Sequence, residues 1–161
     1  MEPRQLLETL SVAEHLKDAT RHCYTKGGRH ESVAEHSWMM TLMAFFMKDE
    51  FPEVDMDKVI KMCIIHDLGE AFTGDIPTFE KTQAHEVKEE ELLYRWVKSL
   101  PESYAAEMLS LYEERYPYGA TKEECVVGLT NFSIADADPD PKCLQGKIWQ
   151  LIKLDFVEER K

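Results

Sequence analysis

The sequence lacks any sign of a disulfide framework or of a membrane segment. Its four cysteines, Cys23, Cys63, Cys125 and Cys143, are far apart, and no two have C-x-x-C spacing. Scattered thiols of this kind are typical of a protein that stays reduced in the cytosol. The polar N-terminus has no signal-peptide core, and the longest largely apolar stretch, residues 38–47, is too short to span a bilayer. We therefore expect a cytoplasmic protein.

Basic residues are also scarce, with 19 lysines and arginines against 31 aspartates and glutamates, so the net charge is −12. This balance argues against non-specific binding to nucleic acid or to an anionic membrane. A phosphorylated small molecule is still allowed, because one metal ion and a few local cations can reverse the field inside a cleft. With 161 residues, of which 43% are hydrophobic and 31% charged, the chain is long enough for one globular domain.

Glycine and proline are few, at seven each, and no stretch alternates between apolar and polar residues as a strand does. The apolar spacing is helical nearly throughout, which predicts an all-α fold in a single domain of residues 1–161. Helix starts are marked by an S-x-x-E capping box at Ser32 and Glu35, and by Asp55 or Asp57. The predicted helices span about residues 3–20, 32–50, 55–74, 82–99 and 101–117, with a polar connector at 21–29 and weaker patterns at 123–134 and 143–158.

The most informative motif is the pair His66-Asp67, which follows an almost unbroken apolar run at residues 59–65. Polar groups at the end of a buried helix are unfavourable unless something binds them, and imidazole and carboxylate are good ligands for divalent transition metals. Glu70 shares their helix face, and Asp75 follows just beyond the predicted helix end. His36, on the preceding helix, can supply a ligand from a second segment. A hydrogen-bonded core His-Asp pair without a metal is the alternative interpretation.

Taken together, these motifs resemble those of the HD-domain phosphohydrolases. The similarity is carried by E-S-V-A-E-H-S at 31–37, I-I-H-D-L-G-E-A at 64–71 and G-D-I-P at 74–77. It covers about residues 5–116, is strongest for the 5′-deoxynucleotidase-like branch, and is lost in the tail at 117–161. The resemblance implies an all-helical domain with one divalent metal ion, which hydrolyses nucleoside 5′-monophosphates and prefers deoxyribose.

The resemblance also implies roles for individual residues near the metal. His36, His66 and Asp67 match metal ligands of the family. Glu70 and Asp75 match acidic residues that lie near the nucleophilic water and the substrate.

The substrate side and the last metal ligand involve other segments. Arg21 matches a basic residue that holds the phosphate, Tyr24 lies near an aromatic position of relatives, and His22 can reach the phosphate beside Arg21. Relatives place a final metal-binding aspartate in an apolar helix well after the His-Asp pair. Asp136 is the predicted fourth ligand and Asp138 the alternative, in a segment that resembles a loop more than that helix.

Two functional hypotheses follow from these residues. The first is a metal-dependent phosphomonoesterase for nucleotides, with one manganese, cobalt, zinc or iron ion. The second is a catalytically silent helical module for dimerisation or nucleotide binding, whose metal site is incomplete because the tail differs. A di-iron oxygenase of the same superfamily needs further histidines after the pair, and the sequence offers only His85. The methionine-rich and aromatic residues at 38–47 predict core packing and a homodimer surface.

Overall fold

The fold is helical, as the sequence predicts. A computed structural model describes residues 1–77, 80–115 and Glu123. The helices in this part of the chain are α1 (Pro3–Glu14), α2 (Val33–Phe46), α3 (Met56–Ile65), α4 (Glu70–Thr73), α5 (Gln83–Val97) and α6 (Glu102–Arg115). None of the helices described is both long and apolar enough to cross a membrane. The helical patterns at 123–134 and 143–158 lie outside the described residues, apart from Glu123.

A small β-hairpin between α1 and α2 stands where the sequence predicts a polar connector at residues 21–29 and no strand. Strand β1 (Thr20–Tyr24) pairs antiparallel with strand β2 (His30–Ser32). The chain reverses between them through Gly28, whose φ of 80° is readily adopted only by glycine. Cys23 is the one buried residue of β1, so the strand has no apolar alternation for the sequence to reveal.

Two helix starts are set by local capping, as predicted. The Ser32 hydroxyl accepts a hydrogen bond from the Glu35 N–H (3.2 Å), and the Glu35 carboxylate accepts one from the Ser32 N–H (3.0 Å). The carboxylate of Asp55, rather than that of Asp57, accepts from the Lys58 N–H (3.1 Å). These bonds satisfy backbone donors that the first turn of a helix leaves open.

The helix ends differ from the prediction. The first helix turns into a 3₁₀ segment, His15–Lys17, instead of continuing to residue 20, and α2 is followed by a second one, Lys48–Glu50. The third helix, predicted to reach about residue 74, ends at Ile65, and a tight turn separates it from the short helix α4. His66 and Asp67 therefore lie in this turn rather than inside a helix.

A long-range contact accounts for the early end of α3. The Tyr112 hydroxyl on α6 donates a hydrogen bond to the Ile65 carbonyl (2.7 Å), which gives that carbonyl a partner outside its own helix. The turn that follows is closed by backbone bonds over three residues, from the Leu68 N–H to Ile65 and from the Glu70 N–H to Asp67. This is the tighter 3₁₀ spacing, and it draws the residues of the turn together.

The core consists of two clusters that Ile65 joins by packing against both. One lies around α2, α3 and α6 and contains Met40, Ala44, Val59, Met62, Cys63 and Leu111. The other contains Leu16, Val33, Leu68, Ala71, Leu93, Val97 and Tyr112. The buried residues of α2 and α3 thus pack these two helices together, and α3 leads directly into the turn at 66–69.

Not all apolar residues of α2 belong to this core. Trp38, Phe45 and Phe46 are 61%, 50% and 73% exposed, whereas Met40 is buried. An apolar helix face of this size is typical of a surface that another element covers. The predicted homodimer is compatible with it and stays a prediction.

Candidate metal centre

His66 has its orientation fixed by the backbone of α3. The ring is almost fully buried, and Nδ1 lies 2.8 Å from the carbonyl oxygen of Cys63. Because a carbonyl oxygen can only accept, Nδ1 must carry the proton and donate it. The proton of the neutral ring is then on Nδ1, and Nε2 presents its lone pair to the surrounding site.

His36 approaches the same point from α2. Its ring is 3% exposed, and its centroid lies 5.4 Å from that of His66. The Asp67 carboxylate lies between the two rings, with Oδ2 2.7 Å from Nε2 of His66 and 3.9 Å from Nε2 of His36. One ligand atom from each residue lies within 4.8 Å of the other two. Two separate segments thus bring three potential ligands together.

This arrangement fits a divalent metal ion. Nitrogen and oxygen ligands bind such an ion at about 2.1 Å, so neighbouring ligands lie about 3–4 Å apart. Two imidazoles and a carboxylate are a donor set that manganese, iron, cobalt and zinc all accept. A neutral His66 would bring its Nε2 lone pair against the Asp67 carboxylate, and either a bound cation or a proton on Nε2 would make this contact favourable. The metal-free core pair therefore stays an alternative interpretation.

Two further carboxyl groups border the cluster, as the sequence predicts. Glu70 is 8% exposed, and burial, together with the nearby charges of Asp67 and Asp75, raises its pKa from 4.5 to about 9. Burial likewise raises the pKa of Asp75, against the opposing effect of Arg21. Among the described residues, Oε2 of Glu70 and Oδ2 of Asp75 are buried without a hydrogen-bond partner. Buried carboxyl groups of this kind can serve as proton acceptors or cation ligands.

The backbone of Gly74 directs Asp75 toward the cluster. Its φ of 74° and ψ of 167° belong to a region that is essentially restricted to glycine. The helix α4 can therefore stop at Thr73 and the chain can turn sharply, which allows Asp75 to face Asp67 and Arg21. The sequence predicted an aspartate just beyond the helix, but not this backbone geometry.

Arg21 reaches the cluster from the hairpin. Its Nη1 lies 2.5 Å from Nδ1 of His36 and 3.3 Å from Oε2 of Glu31. The side chain is 13% exposed, and its charge opposes the rise in the pKa of Asp75. A partly buried guanidinium beside these potential metal ligands is suited to binding a phosphate, because it can donate two parallel hydrogen bonds.

The two neighbours of Arg21 in β1 are placed differently. Successive side chains of a strand point to opposite faces, so His22 and Tyr24 share the exposed face and Arg21 the inner one. The charge of His22 still acts on Asp75 and lowers the pKa of that carboxyl. Tyr24 is 61% exposed and stacks against His30, with ring centroids 4.4 Å apart. The structure does not bring Tyr24 into the cluster, and its substrate role stays a prediction.

The fourth ligand predicted from the tail, Asp136 or its alternative Asp138, lies outside the described residues. His85, on which the oxygenase hypothesis depends, caps α5 instead: its Nδ1 accepts a hydrogen bond from the Thr82 N–H (3.3 Å).

An ion pair behind the cluster was not predicted from the sequence. Lys81 Nζ lies 2.8 Å from Oε2 of Glu89, and both side chains are about four-fifths buried, at 22% and 18% exposed. The Lys81 charge lowers the pKa of Glu70, so it reaches the same site. A Cβ added at Gly69 would come within 2.7 Å of Cγ of Glu89, which shows how closely α5 approaches the turn. The glycine in H-D-L-G-E is a sequence signal for this close approach, but not for the ion pair.

Comparisons with known proteins identify relatives with similar sequences and folds. The human 5′-deoxynucleotidase HDDC2 is 32% identical over 116 residues, which cover 69% of this chain and 55% of that protein. A predicted metal-dependent phosphohydrolase from Magnetospirillum magnetotacticum superposes with a TM-score of 0.69 at 27% identity, over 78% of this chain and 64% of that one. A conserved hypothetical protein from Pyrococcus furiosus gives a TM-score of 0.63 at 29% identity, over 78% and 74%. The chain thus spans about half the length of its human relative.

The family model of the HD domain matches residues 13–138. This range includes the hairpin with Arg21, the helix with His36, and the turn with His66 and Asp67. Sequence motif, fold and site geometry thus lead to one conclusion, that the chain belongs to the HD-domain family.

Proposed function

We propose that the protein is a metal-dependent phosphohydrolase that releases phosphate from nucleoside 5′-monophosphates, with deoxyribonucleotides preferred. The observation that supports this most directly is the convergence of His36, His66 and Asp67 beside the partly buried cation of Arg21. The name of the human relative, 5′-deoxynucleotidase, supports the same substrate class.

The proposed metal ligands are His36, His66 and Asp67, completed by Asp136 or else by Asp138. The bound ion, which is manganese, cobalt, zinc or iron in this proposal, would polarise a phosphate oxygen and lower the pKa of the attacking water. Arg21 would hold the phosphate through its guanidinium and offset its negative charge.

The remaining chemistry needs a proton acceptor. Glu70 would orient the attacking water and take its proton, because a carboxyl whose pKa lies near or above neutrality accepts a proton efficiently once it is ionised. Asp75 would hold the water or the substrate from the opposite side, and His22 would assist Arg21 at the phosphate. Water would attack phosphorus, the bond to the 5′ oxygen would break, and that oxygen would take up a proton from solvent, so that inorganic phosphate and a nucleoside leave.

The test is phosphate release from a panel of ribonucleoside and deoxyribonucleoside 5′-monophosphates. The full chain is stripped with a chelator and reloaded with each of the four metals in turn. Release from deoxyribonucleotides with at least one metal is expected. Asp67→Asn should abolish this release, whereas the exposed Asp57→Asn on α3 is the matched control and should retain it. No release with any metal would refute the proposal and favour a catalytically silent helical module.

We also propose that the protein is a cytoplasmic homodimer. The buried thiols of Cys23 and Cys63 support a reducing compartment. The exposed aromatic face of α2 supports the dimer, and Phe46 is its most exposed member at 73%. Analytical ultracentrifugation should show a dimer for the wild type and a monomer for Phe46→Glu, and a monomeric wild type would refute it.

A further inference from the structure

Three side chains form a compact polar group where the hairpin joins α2. Nη1 of Arg21 lies 3.3 Å from Oε2 of Glu31 and within hydrogen-bond distance of Nδ1 of His36. Oε2 of Glu31 lies 3.9 Å from the same Nδ1. Glu31 is 20% exposed in its side chain, and Arg21 and His36 are more deeply buried. Glu31 thus faces both a proposed phosphate-binding residue and a proposed metal ligand.

The contact between Arg21 and His36 determines where the ring proton lies. A guanidinium can only donate hydrogen bonds, so Nδ1 of His36 acts as the acceptor. The proton of the neutral ring is then on Nε2, which is the nitrogen that faces Asp67. A protonated Nε2 has no lone pair for a metal ion. The arrangement seen here therefore has to change when His36 becomes a ligand.

Binding through Nε2 requires the ring proton on Nδ1, and Nδ1–H then needs an acceptor. Arg21 offers donors only, and two donors facing each other repel. Oε2 of Glu31 is a negatively charged oxygen that already lies 3.9 Å from this nitrogen, and a small rotation of the ring or of the carboxylate would close that distance. Carboxylates that accept the second N–H of a metal-binding histidine fix its tautomer and strengthen its binding.

We propose that Glu31 is a positioning residue for the metal centre: it accepts the Nδ1–H of His36 when Nε2 binds the metal. In this step one proton moves between the two ring nitrogens by way of solvent, and the ring is neutral before and after. Arg21 keeps its hydrogen bond to Glu31 and loses its hydrogen bond to His36. One N–H of Nη1 then becomes available to a phosphate. The last point rests on the proposed function, whereas the role of Glu31 rests only on metal binding.

The experiment compares the full-length wild type with Glu31→Ala and Glu31→Gln. Proteins labelled with ¹⁵N-histidine are titrated with zinc, which is diamagnetic, and two-dimensional NMR identifies the protonated nitrogen of His36. Competition with a chelator gives the zinc affinity. The wild type should change from the Nε2–H to the Nδ1–H tautomer on saturation. Glu31→Ala should bind zinc roughly 10-fold to 100-fold more weakly. Glu31→Gln keeps an acceptor oxygen and should recover part of that loss.

Glu35→Gln is the matched control. Glu35 lies in the same segment and also pairs with an arginine of the hairpin, Arg29, but it caps α2 and its side chain is more exposed, at 40%. If Glu31 had only a structural role, Glu31→Ala and Glu35→Gln would both lower thermal stability and leave zinc affinity unchanged. Unchanged zinc affinity in Glu31→Ala, or a zinc-bound wild type with His36 protonated on Nε2, would overturn the proposal.

The zinc-binding test of Glu31 does not depend on whether the protein hydrolyses nucleotides. A wild type that binds zinc with His36 protonated on Nδ1 but releases no phosphate from nucleotides would refute the proposed function and leave the role of Glu31 intact.

Discussion

The Tyr112 hydroxyl on α6 donates a 2.7 Å hydrogen bond to the carbonyl of Ile65, the residue that ends α3. The tyrosine is 2% exposed, so water cannot replace the bond. Removing the hydroxyl should therefore leave the part-buried Ile65 carbonyl with the Leu68 N–H (3.1 Å) as its donor.

We expect Tyr112→Phe to lower the free energy of unfolding by about 0.5–1.5 kcal/mol, which is the usual net contribution of one intramolecular hydrogen bond. Urea denaturation measures this difference. Tyr104→Phe on the same helix removes a hydroxyl from a side chain that is 48% exposed and should have little effect. Equal effects of the two substitutions would contradict the importance of the Tyr112 bond.

Gly74→Ala tests the turn that directs Asp75. Alanine at φ 74° and ψ 167° is strained by about 1–3 kcal/mol, although a Cβ there would meet no atom within 4 Å. Thermal unfolding should show this loss. The control is Gly27→Ala, where a Cβ would meet only Oγ1 of Thr25 at an ordinary 3.8 Å. A wild-type unfolding temperature for Gly74→Ala would show that the backbone relaxes.

Gly69→Ala tests the close approach of α5 to the metal-binding turn. The added methyl group would meet Cγ of Glu89 at 2.7 Å, and overpacking of this kind costs about 1–3 kcal/mol. Glu89→Ala removes the opposing atoms, so the two substitutions together should destabilise less than the sum of their separate effects. Additive changes in unfolding free energy in this double-mutant cycle would argue against the contact.

The pH dependence of stability tests the burial of Glu70. In the metal-free protein the folded state binds a proton with a pKa of about 9, against 4.5 for an ordinary glutamate. Between these values the folded state holds a proton that the unfolded chain has lost, so stability should fall as the pH rises through this window. Denaturation of chelator-treated protein at about pH 5 and about pH 8 measures the slope.

Glu70→Gln cannot ionise at this position and should reduce that slope. The exposed Glu91→Gln on α5 is the control and should keep it. If Glu70→Gln shows the same decline in stability with pH as the wild type, Glu70 is not the group responsible.

Local signals in the sequence predicted the fold better at the starts of helices than at their ends. The caps at Ser32 and Asp55 involve residues three positions apart, which a single sequence displays. The end of α3 depends on Tyr112, which lies 47 residues further along. The hairpin was missed because most residues of its strands are polar and Cys23 is the one buried apolar residue among them.

The candidate site was likewise predicted only in part. His36, His66 and Asp67 stand in recognisable motifs, and the structure brings them together as expected. Glu31 reaches Arg21 across the hairpin and His36 at the start of α2, and Lys81 reaches Glu89 on α5. No motif in the sequence marks these pairings. Residue types at a centre can be predicted from motifs, whereas the partners that orient them follow from tertiary structure.

The hydroxyl of Tyr112 also makes the centre sensitive to events far from it. The helix α6 carries this tyrosine and ends at Arg115, immediately before the tail. A displacement of α6 along its axis would reach Ile65, the residue that precedes His66, through the Tyr112 hydrogen bond. We therefore expect a substitution on α6 to change the position of His66 without touching a proposed ligand.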